Sequence, residues 1–454
     1  MVREFKMAKR FLIFGLIFIF VLPLLLPKNN LIFAVNQSIN IADSSNSNNT
    51  FRITQPIDIS SISLFDDVMP SIALDHNGNV HITFYDKDNY VVYYANSITN
   101  DSLMSIASGA GFEYEKPKIF IDSHDVIHII FAICVGVGRT LWYANNSGSN
   151  FVKQINITQI NGIKADYGNF DAVIDPNDYI HIVVDDSSIT GTDEIFYFNI
   201  HNGHISPYEN VSIHSSKYNK CPRIDYNNGI IFTTWLWYAG VAGAEIMVSY
   251  KLPGLSWSTP YNITRTPGMS YLEMMPEVAL DYSGNYHIFY INMSIPSHLT
   301  YFTDINGTPT CEDFTFTWQT SPYARIYADT DSNSIIHGFW YDSLHDSDNE
   351  IYYITNINGS FNYFNITKNN VYDSMPQFVI GPDNNIYLTY ESNITGNLDI
   401  YFLKIIYNES KTQAHLSSTP TIPGFNVYLS IFSLTLIALF YLINKFKPKY
   451  LKIQ

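Results

Sequence analysis

The sequence predicts an all-β protein, a seven-bladed β-propeller closed by an N-terminal strand and flanked by an N-terminal signal segment and a C-terminal transmembrane helix. Three observations predict it. A fifteen-residue phrase, "PSIALDHNGNVHITF" from Pro70, returns as "PKIFIDSHDVIHIIF" from Pro117, "PEVALDYSGNYHIFY" from Pro276 and "PQFVIGPDNNIYLTY" from Pro376. With fainter copies the first positions are Pro70, Pro117, Phe170, Pro222, Pro276, Ala324 and Pro376, a period of about 51 residues that signals a propeller or a solenoid. No unit shows the 3.6-residue apolar spacing of a helix. Each instead has short β-branched and aromatic runs broken by Asn, Asp, Gly and Pro.

The elements follow in chain order. In residues 1–35, Arg3, Lys6, Lys9 and Arg10 precede "FLIFGLIFIFVLPLLLP", which reads as a signal peptide or signal anchor. Residues 36–50, rich in Ser and Asn, read as a flexible stalk. The propeller spans 51–408. Each copy parses into strand A ("PSIALD"), a tight turn, strand B ("VHITFY"), strand C ending in aromatic pairs such as "YVVYYANS", and strand D, as in "FNYFNIT". The last copy lacks strand D, so "FRITQPIDIS" is expected to pair with "DIYFLKII" and cover the open edge.

Residues 409–422 read as a linker and 423–454 as an anchor. Phe425 to Ile443 is long enough to span a bilayer, and Lys445, Lys447, Lys449 and Lys452 place the C-terminus in the cytoplasm. Pro423, Gly424 and Phe425 before that helix resemble the C-terminal sorting signal of archaeal surface proteins. The resemblance implies a tail recognised by a sortase-like membrane enzyme and exchanged for a lipid; a plain single-pass anchor is the alternative. Both ends put the body at the cell surface, membrane-anchored and extracellular.

The body holds 16 basic and 40 acidic residues, a charge of -24 that disfavours nucleic acid and anionic lipid as partners. Cys134, Cys221 and Cys311 form no metal motif and no disulfide framework, one bridge with one free thiol stays open without a choice of pair, and no cofactor is implied. "DTDSNS" at Asp329 and "HDSDNE" at His345 read as tight turns rather than calcium loops. Thirteen Asn-x-Ser/Thr sequons mark an exported glycoprotein, with Asn156, Asn262, Asn365 and Asn393 as candidate acceptors, although "NIT" also falls where a repeated strand lies.

The recurrent His81, His128, His181, His287 and His337, replaced by Phe232 and Tyr387 in two copies, read as packing and hydrogen-bonding residues between blades. Metal ligation fails on distance, because equivalent blade positions lie ~10 Å apart. The column that draws attention is the second residue of strand A: Ser71, Lys118, Asp171, Arg223, Glu277, Arg325 and Gln377. Charge on an inner strand is unexpected, so this slot is expected to open onto the mouth of the central channel. Asp86, Asp185, Trp235, Trp340, Tyr341, Asp342 and Glu391 are expected to add acids and aromatic platforms from the B–C loops.

In the fourth copy, "YKLPGLSWSTPYNIT" keeps Gly254, Ser256 and Trp257 of an Asp-box turn, while Tyr250 and Leu252 replace its Ser and Asp. With the blade rhythm, this resembles the sialidase-like propellers. The resemblance implies a carboxylate held by three arginines, of which Arg223 and Arg325 match, and Arg139 or Arg265 would have to substitute for the third. Tyr271, Tyr372, Glu277 and Asp86 would be the nominees for nucleophile and acid/base. The expected function is binding of a glycan or a surface protein on the loop face. A sialidase-like glycoside hydrolase is the alternative, and a structural or adhesion component of the envelope is the second.

Overall fold

The structure is a computed structural model. It describes residues 39–40 and 51–407, apart from 62–64, 98–102, 110–112, 136–137, 148–150, 152–154, 164–168, 214–217, 239–242, 265–272, 293–297, 306, 315–324 and 343–347. The signal segment, most of the stalk, the linker, the anchor with Pro423, Gly424 and Phe425, and the nominees Arg265 and Tyr271 lie outside the described residues. Among the described residues no helix is long and apolar enough to cross a membrane.

Seven antiparallel sheets are arranged as blades. Their inner strands are Asp67–Leu74, Glu113–Ile121, Phe170–Ile174, Tyr218–Asn227, Glu273–Leu280, Tyr327–Thr330 and Asp373–Ile380. The second strands are Val80–Asp86, Ile127–Val135, Ile180–Asp186, Ile230–Tyr238, Tyr286–Asn292, Ile336–Asp342 and Ile386–Ser392. Third strands begin at Val91, Gly138, Glu194, Ala244, His298, Glu350 and Asp399. The inner strand of the seventh blade packs on that of the first, so the fold is a closed seven-bladed ring. On the outside of the seventh blade, Phe51–Ile53 pair antiparallel with Tyr407, Ile406 and Ile405, and Ile57–Asp58 with Phe402 and Tyr401. Ile39–Asn40, within the span expected as a stalk, pair in turn with Ile53 and Arg52.

The sixth repeat starts at Ile326, two residues later than the alignment placed it. Tyr327 pairs with Phe339 as Ser71 pairs with Thr83, so Tyr327 occupies the second-residue slot and Arg325 lies before it. The sequence hid this because Tyr327 is aromatic in a slot where the other blades carry smaller polar or charged residues, and Asp329 is acidic where they carry mostly apolar ones. Asp329 is thus a strand residue, and Asp331 caps the following turn by accepting the N–H groups of Asn333 and Ile335.

The core lies between blades. One slot of the second strand holds Phe84, Phe131, Val184, Trp235, Tyr290, Trp340 and Tyr390, all buried. The recurrent histidine sits three residues earlier and works within its own blade. Its Nδ1 meets a third-strand tyrosine hydroxyl at 2.6–2.7 Å in all five blades, pairing His81 with Tyr94, His128 with Tyr143, His181 with Tyr197, His287 with Tyr301 and His337 with Tyr353. Nε2 faces the turn aspartate, closest for His128 and Asp122 at 3.1 Å. That aspartate's other oxygen accepts turn N–H groups, as Asp75 does from Asn77 and Asn79. Burial holds His81, His128 and His181 below the ordinary imidazole value, as neutral groups. The expectation of a bond between blades is therefore corrected for the imidazole itself: its polar contacts join strands of one blade, and ring packing such as His181 on Tyr226 at 5.6 Å crosses to the next. In the sixth blade the Tyr353 hydroxyl carries the network on to the Tyr407 hydroxyl of the seventh.

Candidate functional site at the channel mouth

Five of the seven inner strands enter the ring through a β-bulge, those of the first, second, fourth, fifth and seventh blades. In five blades the residue before the proline has a positive φ: Met69 at 55°, Lys116 at 49°, Cys221 at 54°, Met275 at 51° and Met375 at 47°. L-residues rarely adopt this region, and a following proline favours extended backbone instead. Such strain persists only where surroundings over-determine it. Part of that support is visible: Glu391 Oε1 accepts the Met69 N–H at 2.7 Å, and Asp185 Oδ2 accepts the Cys221 N–H at 3.0 Å, each reaching across to the next blade. In those five blades the bulged residue Met69, Lys116, Cys221, Met275 or Met375 lies at the channel mouth, and Asn169 and Arg325 reach it from the two unbulged blades.

The result is a cavity of about 360 Å³ at the mouth, bordered by Met69, Lys116, Asn169, Cys221, Met275, Arg325 and Met375, with Tyr327, Tyr341 and Gln377 deeper. Its wall is mostly apolar. Lys116 Nζ donates to Asn169 Oδ1 at 3.1 Å. Arg325 Nε contacts Met275 Sδ at 3.3 Å, and among the described residues no carboxylate pairs with its guanidinium. The Cys221 thiol is pushed up to about 11 by burial, so it is an unreactive wall atom. The three cysteines are free.

Below the mouth the second-residue slot crosses the channel as a chain of alternating charge. Lys118 pairs with Asp171, Arg223 Nη1 lies 4.0 Å from Asp171, and Arg223 Nε lies 2.8 Å from Glu277 Oε2. Against the cost of burial, Lys118 and Arg223 hold Asp171 below the usual carboxylate range, and Glu277 and Asp171 hold Arg223 above its ordinary value. Burial, against the pull of Arg223, pushes Glu277 up to about 8. Two slot residues also accept N–H groups from the exposed edge of the next inner strand: Ser71 from Ile119 at 3.2 Å and Asp171 from Ile224 at 3.1 Å. Two residues further down, Asp225 accepts the Leu280 N–H at 2.6 Å. Polar groups occur on these inner strands because an edge facing a channel leaves N–H groups that need acceptors.

This geometry corrects several expectations. Arg223 is paired, Arg325 lies two residues outside the slot, and no third arginine joins them among the described residues. Asp86, Asp185, Trp235, Trp340, Asp342 and Glu391 are buried rather than displayed on loops. The second strand runs further than the sequence suggests and is covered by blades on both faces. Trp235 donates from Nε1 to Asn219 at 2.8 Å, and Asp86 caps its own turn through the N–H groups of Asp88 and Asn89. Of that group Tyr341 lines the mouth. Gln377, Lys118 and Arg223 do line it, while Asp171 and Glu277 face the cavity of about 330 Å³ below. The mouth residues that the sequence pattern did not single out are Met69, Lys116, Met275, Met375 and Tyr327. A usable signal was present, since three methionines precede equivalent prolines.

Fold and channel together define a closed seven-bladed propeller with a polar-belted channel. No protein-family model and no curated protein matches the sequence. Among solved structures the chain is similar to a polysaccharide lyase, an ulvanlyase bound to -[GlcA(1-4)Rha3S]-, with a TM-score of 0.53, 11% identity, and coverage of 81% of this chain and 100% of that one. That match shows a shared propeller fold. A looser likeness is to the intramolecular trans-sialidase from Ruminococcus gnavus in complex with oseltamivir carboxylate, at TM-score 0.41 and 12% identity, covering 77% of this chain and 96% of that one. The NanB sialidase from Streptococcus pneumoniae gives 0.42 and 10%, with 76% and 68% covered.

Proposed function

We propose that the protein is a surface-anchored propeller that binds an acidic glycan at the channel mouth. The observation that carries the reading is the Arg325 guanidinium, held over a methionine-walled cavity with Lys116 on the same rim and no carboxylate partner among the described residues. An arginine fork suits a carboxylate or sulfate, and apolar walls suit the C–H faces of a sugar ring. Anchoring rests on the basic-flanked apolar segments at both ends, with Pro423, Gly424 and Phe425 as the proposed sorting motif and the strand at 51–60 as the proposed latch of the ring. The charge of -24 favours no nucleic acid partner.

Binding is favoured over hydrolysis on the chemistry of the slot. Arg223 is taken up by Asp171 and Glu277, and burial raises the Tyr327 phenol, the opposite of what a nucleophile beside Glu277 requires. A purely structural envelope role accounts for the self-paired chain of charge but not for Arg325. The test is a glycan array probed with the full chain, covering neutral, carboxylated and sulfated saccharides. Acidic glycans are expected to bind, and Arg325→Ala to weaken them by about tenfold or more, the worth of a hydrogen bond to a charged group. Equal binding by the variant, or a preference for neutral glycans, would sink the reading.

A further inference from the structure

Seven of the thirteen sequons lie wholly among the described residues, and these divide into two kinds once their side chains are placed. In Asn156–Thr158, Asn210–Ser212, Asn262–Thr264 and Asn365–Thr367 the hydroxyl is built into the fold. It accepts the N–H of the second or a nearby early residue of the third strand: Thr158 from Leu141 at 2.9 Å, Ser212 from Ile195 at 2.9 Å, Thr264 from Ile246 at 3.1 Å and Thr367 from Ile351 at 3.0 Å. Ser212, Thr264 and Thr367 also donate to the carboxylates of Glu194, Glu245 and Glu350. The asparagine Oδ1 accepts a turn N–H in each case, for example Asn262 from Thr264 at 2.9 Å.

The seventh blade makes the same hook from Asp58, Ile59 and Ser60: Ser60 Oγ accepts the Ile400 N–H at 2.9 Å, and Asp58 Oδ1 accepts the Ser60 N–H at 3.1 Å. An aspartate serves there, so the hook needs a side-chain oxygen and not an acceptor amide. The Asn210 Nδ2 is moreover fully buried. Two further sequons are also tied down. Asn393 Oδ1 accepts the Tyr372 N–H while Thr395 donates to Asp399, and Asn145 Nδ2 donates to the Tyr143 hydroxyl at 2.8 Å.

Asn358-Gly359-Ser360 differs in every respect. It forms the tip of the hairpin between the third and outer strands of the sixth blade, and Asn358 and Ser360 are both exposed. Gly359, at φ 82°, makes the turn. Neither the Asn358 nor the Ser360 side chain has a hydrogen bond among the described residues.

We infer that Asn358 is the N-glycosylation site among the described sequons, and that the outer-strand sequons serve strand pairing. The donor is an oligosaccharide linked through C1 to a lipid phosphate. A bond forms between Asn358 Nδ2 and C1, the C1–O bond breaks, the lipid phosphate leaves with the electron pair, and the amide nitrogen gives up one proton to a base. A glycosyl transferase must reach the amide and read the hydroxyl three positions into the sequon, and both are free here.

The inference rests on export of the body, which the experiment reads separately. The full chain is recovered from glycosylating cells, its glycopeptides are mapped by mass spectrometry, and surface exposure is scored by protease shaving of intact cells. The expected result is sugar on Asn358, with loss of one glycan mass in both Asn358→Gln and Ser360→Ala. A shaved, surface-exposed chain bare at Asn358, or carrying sugar on Asn210 or Asn262 instead, overturns the assignment and leaves the surface reading standing. A chain that shaving never reaches overturns the surface reading, and the assignment with it.

Discussion

Asp185 shows how a single side chain acquires a purpose that its neighbours in sequence do not reveal. It is buried at the end of a second strand, where it accepts the N–H of the strained Cys221 and the amide of Asn169. Burial pushes its carboxyl up to about 7, more than the hydrogen bonds and the nearby Lys220 and Lys116 pull it down. Its folded value lies above its unfolded one. Its contribution is therefore fully present below about pH 4, falls as pH rises, and is gone above about 7. Asp185→Asn keeps an acceptor but cannot ionise. Denaturant unfolding is expected to give nearly equal stabilities for the two proteins at pH 4. At pH 7.5 the variant is expected to be more stable by over about 1 kcal/mol, since a tenfold change in proton affinity is worth about 1.4 kcal/mol. A constant difference across that range would refute the assignment. The same burial explains why Asp185, Trp235 and Glu391 looked like loop residues: their polarity and aromaticity are visible in sequence, whereas the blade covering them is not.

At the scale of elements, the hook between the third and outer strands is the repeated device, and its hydroxyl does two things at once. Thr264→Val keeps the shape but leaves the Ile246 N–H and the Glu245 carboxylate each short of a partner. Leaving buried polar groups unsatisfied costs about 1–3 kcal/mol each. Urea unfolding of Thr264→Val is expected to show a loss of about 2–6 kcal/mol for the two groups together, with glycan binding at the mouth unchanged. A neutral result would mean that the hook is incidental. The turns, the histidine column and the third-strand tyrosines were all legible as a repeat. The bulge in five of the inner strands was less so, because a positive φ before proline runs against local preference and is imposed by the ring.

For the whole molecule, the outer edge of the seventh blade is covered by residues from the other end of the chain. Thr54 and Ile59 N–H groups bond to the carbonyls of Lys404 and Ile400 at 2.9 and 2.7 Å, and Leu398 N–H bonds to Asp66 Oδ1 at 2.9 Å. Removing residues 51–60 exposes that edge and strips Phe51 from its packing on Tyr353, Phe364 and Tyr407. The truncated chain is expected to lose more than about 5 kcal/mol, half or more of a typical domain's margin, and to aggregate through the bared strand. Calorimetry alongside size-exclusion chromatography checks this. An unchanged, monomeric protein would show that the ring holds without its latch.

By itself the sequence determined the blade, the number of blades and the presence of charge on the inner strands, since these follow from local alternation, turn chemistry and period. Only the tertiary structure decided which charges meet. Lys118, Asp171, Arg223 and Glu277 lie about fifty residues apart in sequence and neutralise one another only because the ring brings successive inner strands side by side. Arg325 stands outside that chain through a two-residue offset, which only strand register reveals. Local sequence sets which face of a strand a residue takes, and closure of the ring sets its partner.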